Sequence, residues 1–317
     1  MESKEIKKII SSSKNVAIFG HAVPDLDCFG AMYGAKFLCE QLGAKAHIFS
    51  TASKDLFLFK IFDYNKIETD FDESNFDLVL IVDANEFSRL DSAFRDKVQR
   101  HKNVLVIDHH EQSRGESGCK FYVHSEFCAA SLIITDLLYE YKIKISKEVG
   151  EFLFAGIVGD TGRFLHTNTD KHTFEMVTKL MDLGIDIQKI YDATYRSKTL
   201  KQVNVQKFLY DNMNIVNNHA CYIVVSNKDL KKLDARFEDV KLFMDDLNQI
   251  NEFDVVMVAY ELDKDEYKVS CRSKNGFEVN KVAKKHGGGG HKMAAGFNLS
   301  GNKKLVAGKL KNICEEI

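Results

Sequence analysis

Three apolar, β-branched runs of strand length each end in side chains that can hold a metal or move a proton. VAIFG (16–20) opens into H-A-V-P-D-L-D, which carries His21, Asp25 and Asp27. LVLIV (78–82) is followed by Asp83, and VLVI (104–107) by Asp108, His109 and His110. A fourth run, FAGIVGDTG, delivers Asp160. Any one of these acids or imidazoles reads as a turn former, a helix cap or a structural group. Three titratable residues directly after a buried strand are costly without partners, however, and four such segments together favour a metal site. Four carboxylates and two neutral imidazoles would carry a charge that two divalent cations neutralise. Oxygen-rich ligation with some imidazole suits Mn²⁺ or Mg²⁺, with Co²⁺ and Zn²⁺ as substitutes. Two such ions about 3.5–4 Å apart acidify a shared water and clamp phosphate oxygens. Phosphoester hydrolysis is the reaction this donor set suits.

A second cluster of chemistry lies near the C-terminus. K-K-H-G-G-G-G-H-K-M-A-A-G-F runs from Lys284 to Phe297. Gly287, Gly288, Gly289 and Gly290 carry no Cβ, so their N–H groups can turn inward on an anion, and His286 and His291 add donors. Bare GGGG reads as a turn; the two histidines and the following A-A-G shift the reading towards anion binding. The P-loop pattern is absent. Arg272 and Ser273, in VSCRS, are further candidates for a phosphate contact.

The elements that position these residues are legible from period and punctuation. NVAIF (15–19), AHIF (46–49), FDLVLIVD (76–83) and NVLVID (103–108) predict strands, separated by helical patterns that imply a parallel sheet. Helices are predicted from about Gly30 to Leu42, over 125–141 with Ser125 as N-cap, within 147–162, where a buried helix runs into a loop, and over 169–184. Residues 186–213 stay helical without Pro or Gly and predict a helical connector. Beyond it, strands at 220–226, 254–262 and 267–273, one starting near Met293, and helices near 237–250, 279–285 and 302–315 form a smaller α/β module. The expected division is 1–185, 186–213 and 214–317.

Bulk properties exclude some partners. The chain has 317 residues, 44% hydrophobic and 28% charged, with a formal net charge of −2. That balance argues for folded domains and against a long nucleic-acid polymer as the main ligand. Seven scattered cysteines without a CxxC pair fit reduced thiols, read here as small buried hydrophobes. No segment has the length of a membrane span and the N-terminus has no signal-peptide pattern, so no membrane partner and a cytoplasmic address are expected.

HAVPDLD, IVDAN, VIDHH and GIVGDTGRF, in this order, resemble the four motifs of the DHH phosphoesterase superfamily. YKVSCRS followed by KKHGGGGHKMAAGF resembles the signature of the DHHA1 domain that one branch carries. The resemblance spans about Asn15 to Phe297. It implies that His21 and Asp25 hold one ion, that Asp27, His109 and Asp160 hold the other, and that Asp83 bridges them. It further implies that Asp108 orients an imidazole and His110 faces the substrate phosphate. Arg272, His291 and the glycine backbone would hold a terminal phosphate or base, in a cleft between two domains. A homodimer is implied as well. Three positions in two motifs depart from the family pattern: Leu26 replaces a small residue, and in GDTGRFLH an arginine stands at 163 and a leucine at 165.

Size and the GGGGH-bearing domain point within the superfamily to the bacterial nanoRNase/pAp-phosphatase group. The resemblance implies substrates of two to five nucleotides, RNA or DNA, and nucleoside bisphosphates. A near-neutral chain fits a short substrate, which needs a pocket and not a long basic groove. The alternatives are a cyclic or linear dinucleotide phosphodiesterase and a RecJ-like single-strand exonuclease; a non-enzymatic nucleotide sensor would have no use for two catalytic ions.

Overall fold

The computed structural model describes residues 1–54, 57–111, 118–241 and 243–317, with the backbone alone for Phe57, Glu238, Asp245 and His291. The chain divides into two compact units, Met1–Ser197 and Lys198–Ile317.

The first unit comprises α1 (Ser3–Ser11), β1 (Asn15–Phe19), α2 (Leu26–Gln41), β2 (Lys45–Phe49), β3 (Ile67–Glu68), β4 (Leu78–Val82), α3 (Ser92–Arg100), β5 (Val104–Asp108), β6 (Cys119–Val123), α4 (Ala130–Glu140), α5 (Lys147–Asp160), α6 (Lys171–Met181) and α7 (Ile187–Thr194). Its six strands pair in parallel in the order β3-β2-β1-β4-β5-β6. Both faces of the sheet are covered, which is why β4 and β5 are apolar almost throughout. Leu78, Leu80 and Val82 enter the core beneath α2, α4 and α5, while Val79 and Ile81 join Phe19, Phe94 and Val98 on the other face. The strand order reverses between β1 and β4, and their outgoing loops diverge there, leaving the crevice in which open α/β sheets place ligands.

Several boundaries differ from the sequence expectation for identifiable reasons. Helix α2 starts at Leu26, four residues early, because the Asp25 carboxylate caps it by accepting the Cys28 N–H at 3.0 Å. Helix α4 starts at Ala130, and Ser125 is not its cap. The acceptor comes from α2 instead, through Asp27, so the start signal is not local in sequence. Helix α1, buried through Ile6 and Ile10, and the half-exposed edge strand β6 were not anticipated. Neither shows the long apolar run that marked the central strands.

The second unit holds α8 (Leu200–Asp211), β7 (Asn214–Val216), β8 (Ala220–Val225), α9 (Asn227–Lys232), α10 (Phe237–Lys241), α11 (Met244–Asn248), β9 (Val255–Asp263), β10 (Glu266–Ser273), α12 (Val279–Lys285), β11 (Gly289–His291), β12 (Ala294–Ser300) and α13 (Lys303–Glu315). The sheet order is β11-β12-β10-β9-β8-β7, antiparallel except for β8 with β9. Val205, Leu209, Phe243 and Leu247 cover one face, and Val279, Ala283, Val306 and Leu310 the other. The helical stretch 186–213 comprises α7, capped by Asp186, and α8, capped by Thr199; the division between the units falls between them, at Ser197 and Lys198. Among the described residues no helix is long and apolar enough to cross a membrane.

Candidate metal centre

The β-sheet register assembles the site. Phe19 of β1 lies opposite Ile81 of β4, and two residues further on this brings His21 level with Asp83. Val82 lies opposite Ile107 of β5, and the Asp83 N–H continues the ladder by donating to the Ile107 carbonyl at 3.1 Å. Asp83 therefore stands between the two segments that carry histidines. Its backbone is left-handed, with φ of 57°, a conformation that aspartate tolerates better than most residues. That conformation aims the carboxylate across the strand ends: Oδ2 lies 3.2 Å from His21 Nε2, while Oδ1 lies 3.3 Å from His109 Nε2 and 3.6 Å from His110 Nδ1.

Asp27 and Asp160 arrive from helices. Asp27, in the first turn of α2, is fully buried, and its two oxygens accept the N–H groups of Ala130 and Ser131 at 2.7 and 2.9 Å. Asp160 ends α5 and lies 3.2 Å from His109 Nε2, which Asp27 Oδ2 approaches at 3.8 Å. Gly156 makes this packing feasible: a Cβ there would sit 2.0 Å from Ser131 Oγ and 2.9 Å from the Asp27 carboxylate. Asp25, more than half exposed, places its other oxygen 3.7 Å from His21.

Asp108 has a supporting position. Fully buried, it accepts the His109 N–H and meets His110 Nδ1, both at 2.8 Å. It thus fixes the ring of His110, which stays about a third exposed. Asn85, buried in the IVDAN segment, donates to the His110 carbonyl at 3.0 Å and clamps the same loop. Nothing in the sequence alone assigns Asn85 a role; its signal is a polar residue three places after a fully buried strand.

These residues fit a cation. Asp83 Oδ1, Asp108 Oδ2 and His109 Nε2 are buried and make no hydrogen bond of proper geometry, an expensive state for polar atoms unless an ion satisfies them. Among the described residues, donor atoms within 4.8 Å of one another form three groups: Asp27, His109 and Asp160; Asp83, Asp108, His109 and His110; and His21, Cys28 and Asp83. Cys28 was read from sequence only as a small buried residue.

Residues 15–157 match the family model "DHH family, N-terminal domain" and residues 217–317 match "DHHA1 domain". The chain belongs to the DHH/DHHA1 family. It is 29% identical to a "Probable bifunctional oligoribonuclease and PAP phosphatase NrnA" of Streptococcus mutans, over 98% of each chain. It is also 29% identical to a "Bifunctional oligoribonuclease and PAP phosphatase NrnA" of Mycoplasma pneumoniae, over 95% of this chain and 93% of that one. A solved exopolyphosphatase-related protein of Bacteroides fragilis shares the fold, with a TM-score of 0.90, 22% identity and coverage of 99% and 95%.

Electrostatics of the DHH centre follow from this crowding. For His109, burial favours the neutral ring, but the facing Asp160 and Asp83 carboxylates win and push it up to about 11. His21 is likewise raised against its own burial, by Cys28, Asp25 and Asp83. Burial and the repulsion of Asp83 and Asp160 push Asp27 up. Asp83 would also be pushed up by burial, yet the His109 and His21 imidazoles hold it below the ordinary carboxylate range. Without metal, protons therefore sit on the imidazoles, in the places that a cation's charge would take.

In the DHHA1 domain the predicted substrate residues fall around β10, β11 and β12. The register puts Ala294 of β12 between Arg272 and His291, and Gly296 between Ser270 and Gly289. Arg272, half-buried, donates to the Cys271 carbonyl at 3.2 Å. Ser273 is buried and donates its hydroxyl to the Phe277 carbonyl at 2.6 Å. The exposed His286 ring stacks on Phe297 at 4.9 Å, and the side chain of His291 lies outside the described residues. Much of the glycine run serves the fold. The N–H groups of Gly287 and Gly288 donate to Lys284 and Ala283 and end α12. A Cβ at Gly288 would lie 2.1 Å from the Gly296 carbonyl, whereas Gly289 has open space around it. Of the two family departures in the GDTG loop, Arg163 places its guanidinium over the Tyr195 ring at 4.9 Å, and Leu165 is 75% exposed.

Proposed function

We propose that this chain hydrolyses very short oligonucleotides to mononucleotides and removes the 3′-phosphate of adenosine 3′,5′-bisphosphate, using two divalent ions, Mn²⁺ first among them. The observation that carries the reading is Asp83, buried between His21 and His109, with one carboxylate oxygen facing each imidazole. In the proposed arrangement His21 and Asp25 hold one ion, Asp27, His109 and Asp160 the other, and Asp83 belongs to both. Bound there, such ions supply an acidified water and positive charge against the phosphate oxygens. Oxygen and imidazole donors favour Mn²⁺ or Mg²⁺.

The protein's own groups do the positioning. The Asp108 carboxylate holds His110 Nδ1, which leaves Nε2 directed away from it, available to donate to a phosphate oxygen or to protonate the leaving oxygen. Asn85 fixes the loop on which His110 rides. In the second domain we assign terminal phosphate or base recognition to Arg272, His291 and the backbone near Gly289. Ser273, His286 and the N–H groups of Gly287 and Gly288, all engaged within the fold, serve by shaping that surface. The substrate class is supported by the names that relatives of nearly the same length carry and by the net charge of −2. A cytoplasmic address accords with seven scattered cysteines that form no CxxC pair, and light scattering on the purified chain reads out the proposed homodimer.

The test is product release with Mn²⁺ from 5′-phosphorylated RNA and DNA of two to about twenty nucleotides, adenosine 3′,5′-bisphosphate, cyclic dinucleotides and pyrophosphate. Turnover confined to the shortest oligonucleotides and the bisphosphate is expected. Preference for long single strands or a cyclic dinucleotide would overturn the substrate assignment, and inactivity on all of them in the metal-loaded protein would overturn the enzymatic one.

A further inference from the structure

Cys28 is the third residue of α2 and sits at the rim of the metal centre. Its backbone is pinned, because Asp25 caps the helix through the Cys28 N–H. Its sulfur turns back onto the end of β1: a Cβ at Gly20, one residue before His21, would lie 2.2 Å from Sγ. Glycine at position 20 thus leaves the room in which the sulfur reaches the neighbourhood of the His21 ring. Sγ, a ring nitrogen of His21 and a carboxylate oxygen of Asp83 lie within 4.8 Å of one another. Cys28 is fully buried and Asp83, whose Oδ2 faces the His21 ring at 3.2 Å, nearly so. Besides the His21 ring, the thiol's polar neighbour is Met32 Sδ at 3.9 Å, a weak acceptor. Among the described residues no other cysteine joins such a group.

Resting on the metal-centre reading above, we propose that Cys28 Sγ is a direct ligand of the ion held by His21, Asp25 and Asp83. That position then offers sulfur, nitrogen and oxygen, whereas the position formed by Asp27, His109 and Asp160 offers nitrogen and oxygen alone. The thiol proton leaves to solvent as the ion binds. Thiolate stabilises Zn²⁺, Co²⁺ and Cd²⁺ more than Mn²⁺ or Mg²⁺, so the two positions differ in metal preference and Cys28 sets the difference.

The experiment is a titration of the metal-free, full-length chain with Co²⁺ and Cd²⁺ under anaerobic conditions, for the wild type, Cys28→Ser and Cys28→Ala. The wild type is expected to show an intense near-ultraviolet sulfur-to-cobalt charge-transfer band that both variants lack. Cd²⁺ affinity should fall about tenfold or more in the variants, with Mn²⁺ affinity changed far less. X-ray absorption of the Zn²⁺-loaded wild type, which needs no variant to fold, should show a sulfur shell at about 2.3 Å. Ion binding with only nitrogen and oxygen scatterers, or a band that persists in both variants, overturns the role of Cys28 and leaves the metal centre standing. Failure to bind any divalent ion overturns both.

Discussion

Asp27 has two tasks in the account above, and only one of them involves metal. Its oxygens accept the first two N–H groups of α4, in a position with no exposure to solvent. Asp27→Ala would leave both donors buried without an acceptor, at roughly 1–3 kcal/mol each. Relief of repulsion with Asp83 and Asp160 works in the opposite direction, so a net loss of about 2–5 kcal/mol is expected in the metal-free protein. For a unit of this size that corresponds to a melting temperature lower by roughly 5–15 °C. Asp27→Asn keeps one acceptor oxygen and should lose about half as much. Asp160→Asn, whose carboxylate faces His109 and no backbone N–H, should shift metal-free stability by less than about 1 kcal/mol. The assay is urea unfolding of chelator-treated protein followed by far-ultraviolet circular dichroism, with hydrogen exchange of the Ala130–Glu140 peptides as the local readout. An Asp27→Ala protein that loses metal but keeps metal-free stability within about 0.5 kcal/mol of wild type, with α4 protection unchanged, would refute the capping role.

The remaining predictions concern protons, the loop histidine and the glycine run. Because Cys28, Asp25 and Asp83 raise His21, and Asp160 and Asp83 raise His109 to about 11, both imidazoles carry protons in the metal-free protein near neutral pH. Stability from the His109 pairs is fully present below the ordinary histidine value and is lost as pH rises through its folded value. Metal binding displaces these protons, so calorimetry in buffers of different ionisation enthalpy should report about two released per chain near pH 7.5 from the imidazoles, and about one more from the Cys28 thiol where it ligates the ion, and affinity should rise with pH; no proton release would contradict this. His110→Ala should retain full metal content but lower kcat about 10²–10⁴-fold, as expected for a lost acid–base or phosphate-facing group; unchanged kcat would remove His110 from the chemistry. Gly288→Ala should destabilise the DHHA1 domain by more than about 2 kcal/mol, because its Cβ would meet the Gly296 carbonyl. Gly289→Ala should leave the fold intact, so a raised KM in that variant would report on substrate directly, and equal melting of the two variants would contradict the packing argument.

The central strands were legible because parallel strands covered on both faces read as uninterrupted apolar runs, and the residues that follow them are the ones the sheet brings together. His21, Asp83 and His109 needed only the parallel register to meet. What could not be read was cooperation between distant segments. The acceptor for α4 comes from Asp27, about a hundred residues earlier, so Ser125 looked locally like a better cap than it is. Cys28 looked like filler because cysteine usually is; its position against Gly20 and His21 depends on how α2 leaves β1. The glycine run was legible as a special backbone, but its role in ending α12 and pairing β11 with β12 depends on strand neighbours that composition does not name. Edge strand β6 and helix α1 carry too little apolar contrast to stand out from the surrounding polar sequence.

The measurement that bears most directly on the account is metal content per chain together with phosphate release from adenosine 3′,5′-bisphosphate, in wild type and in Asp83→Asn. Asparagine preserves the shape of the side chain and tolerates the left-handed backbone at position 83, so the variant should fold. Two ions per wild-type chain are expected, with loss of both in the variant and phosphate release reduced to the level of chelated protein. A variant that keeps both ions and turns over the bisphosphate like wild type would contradict this.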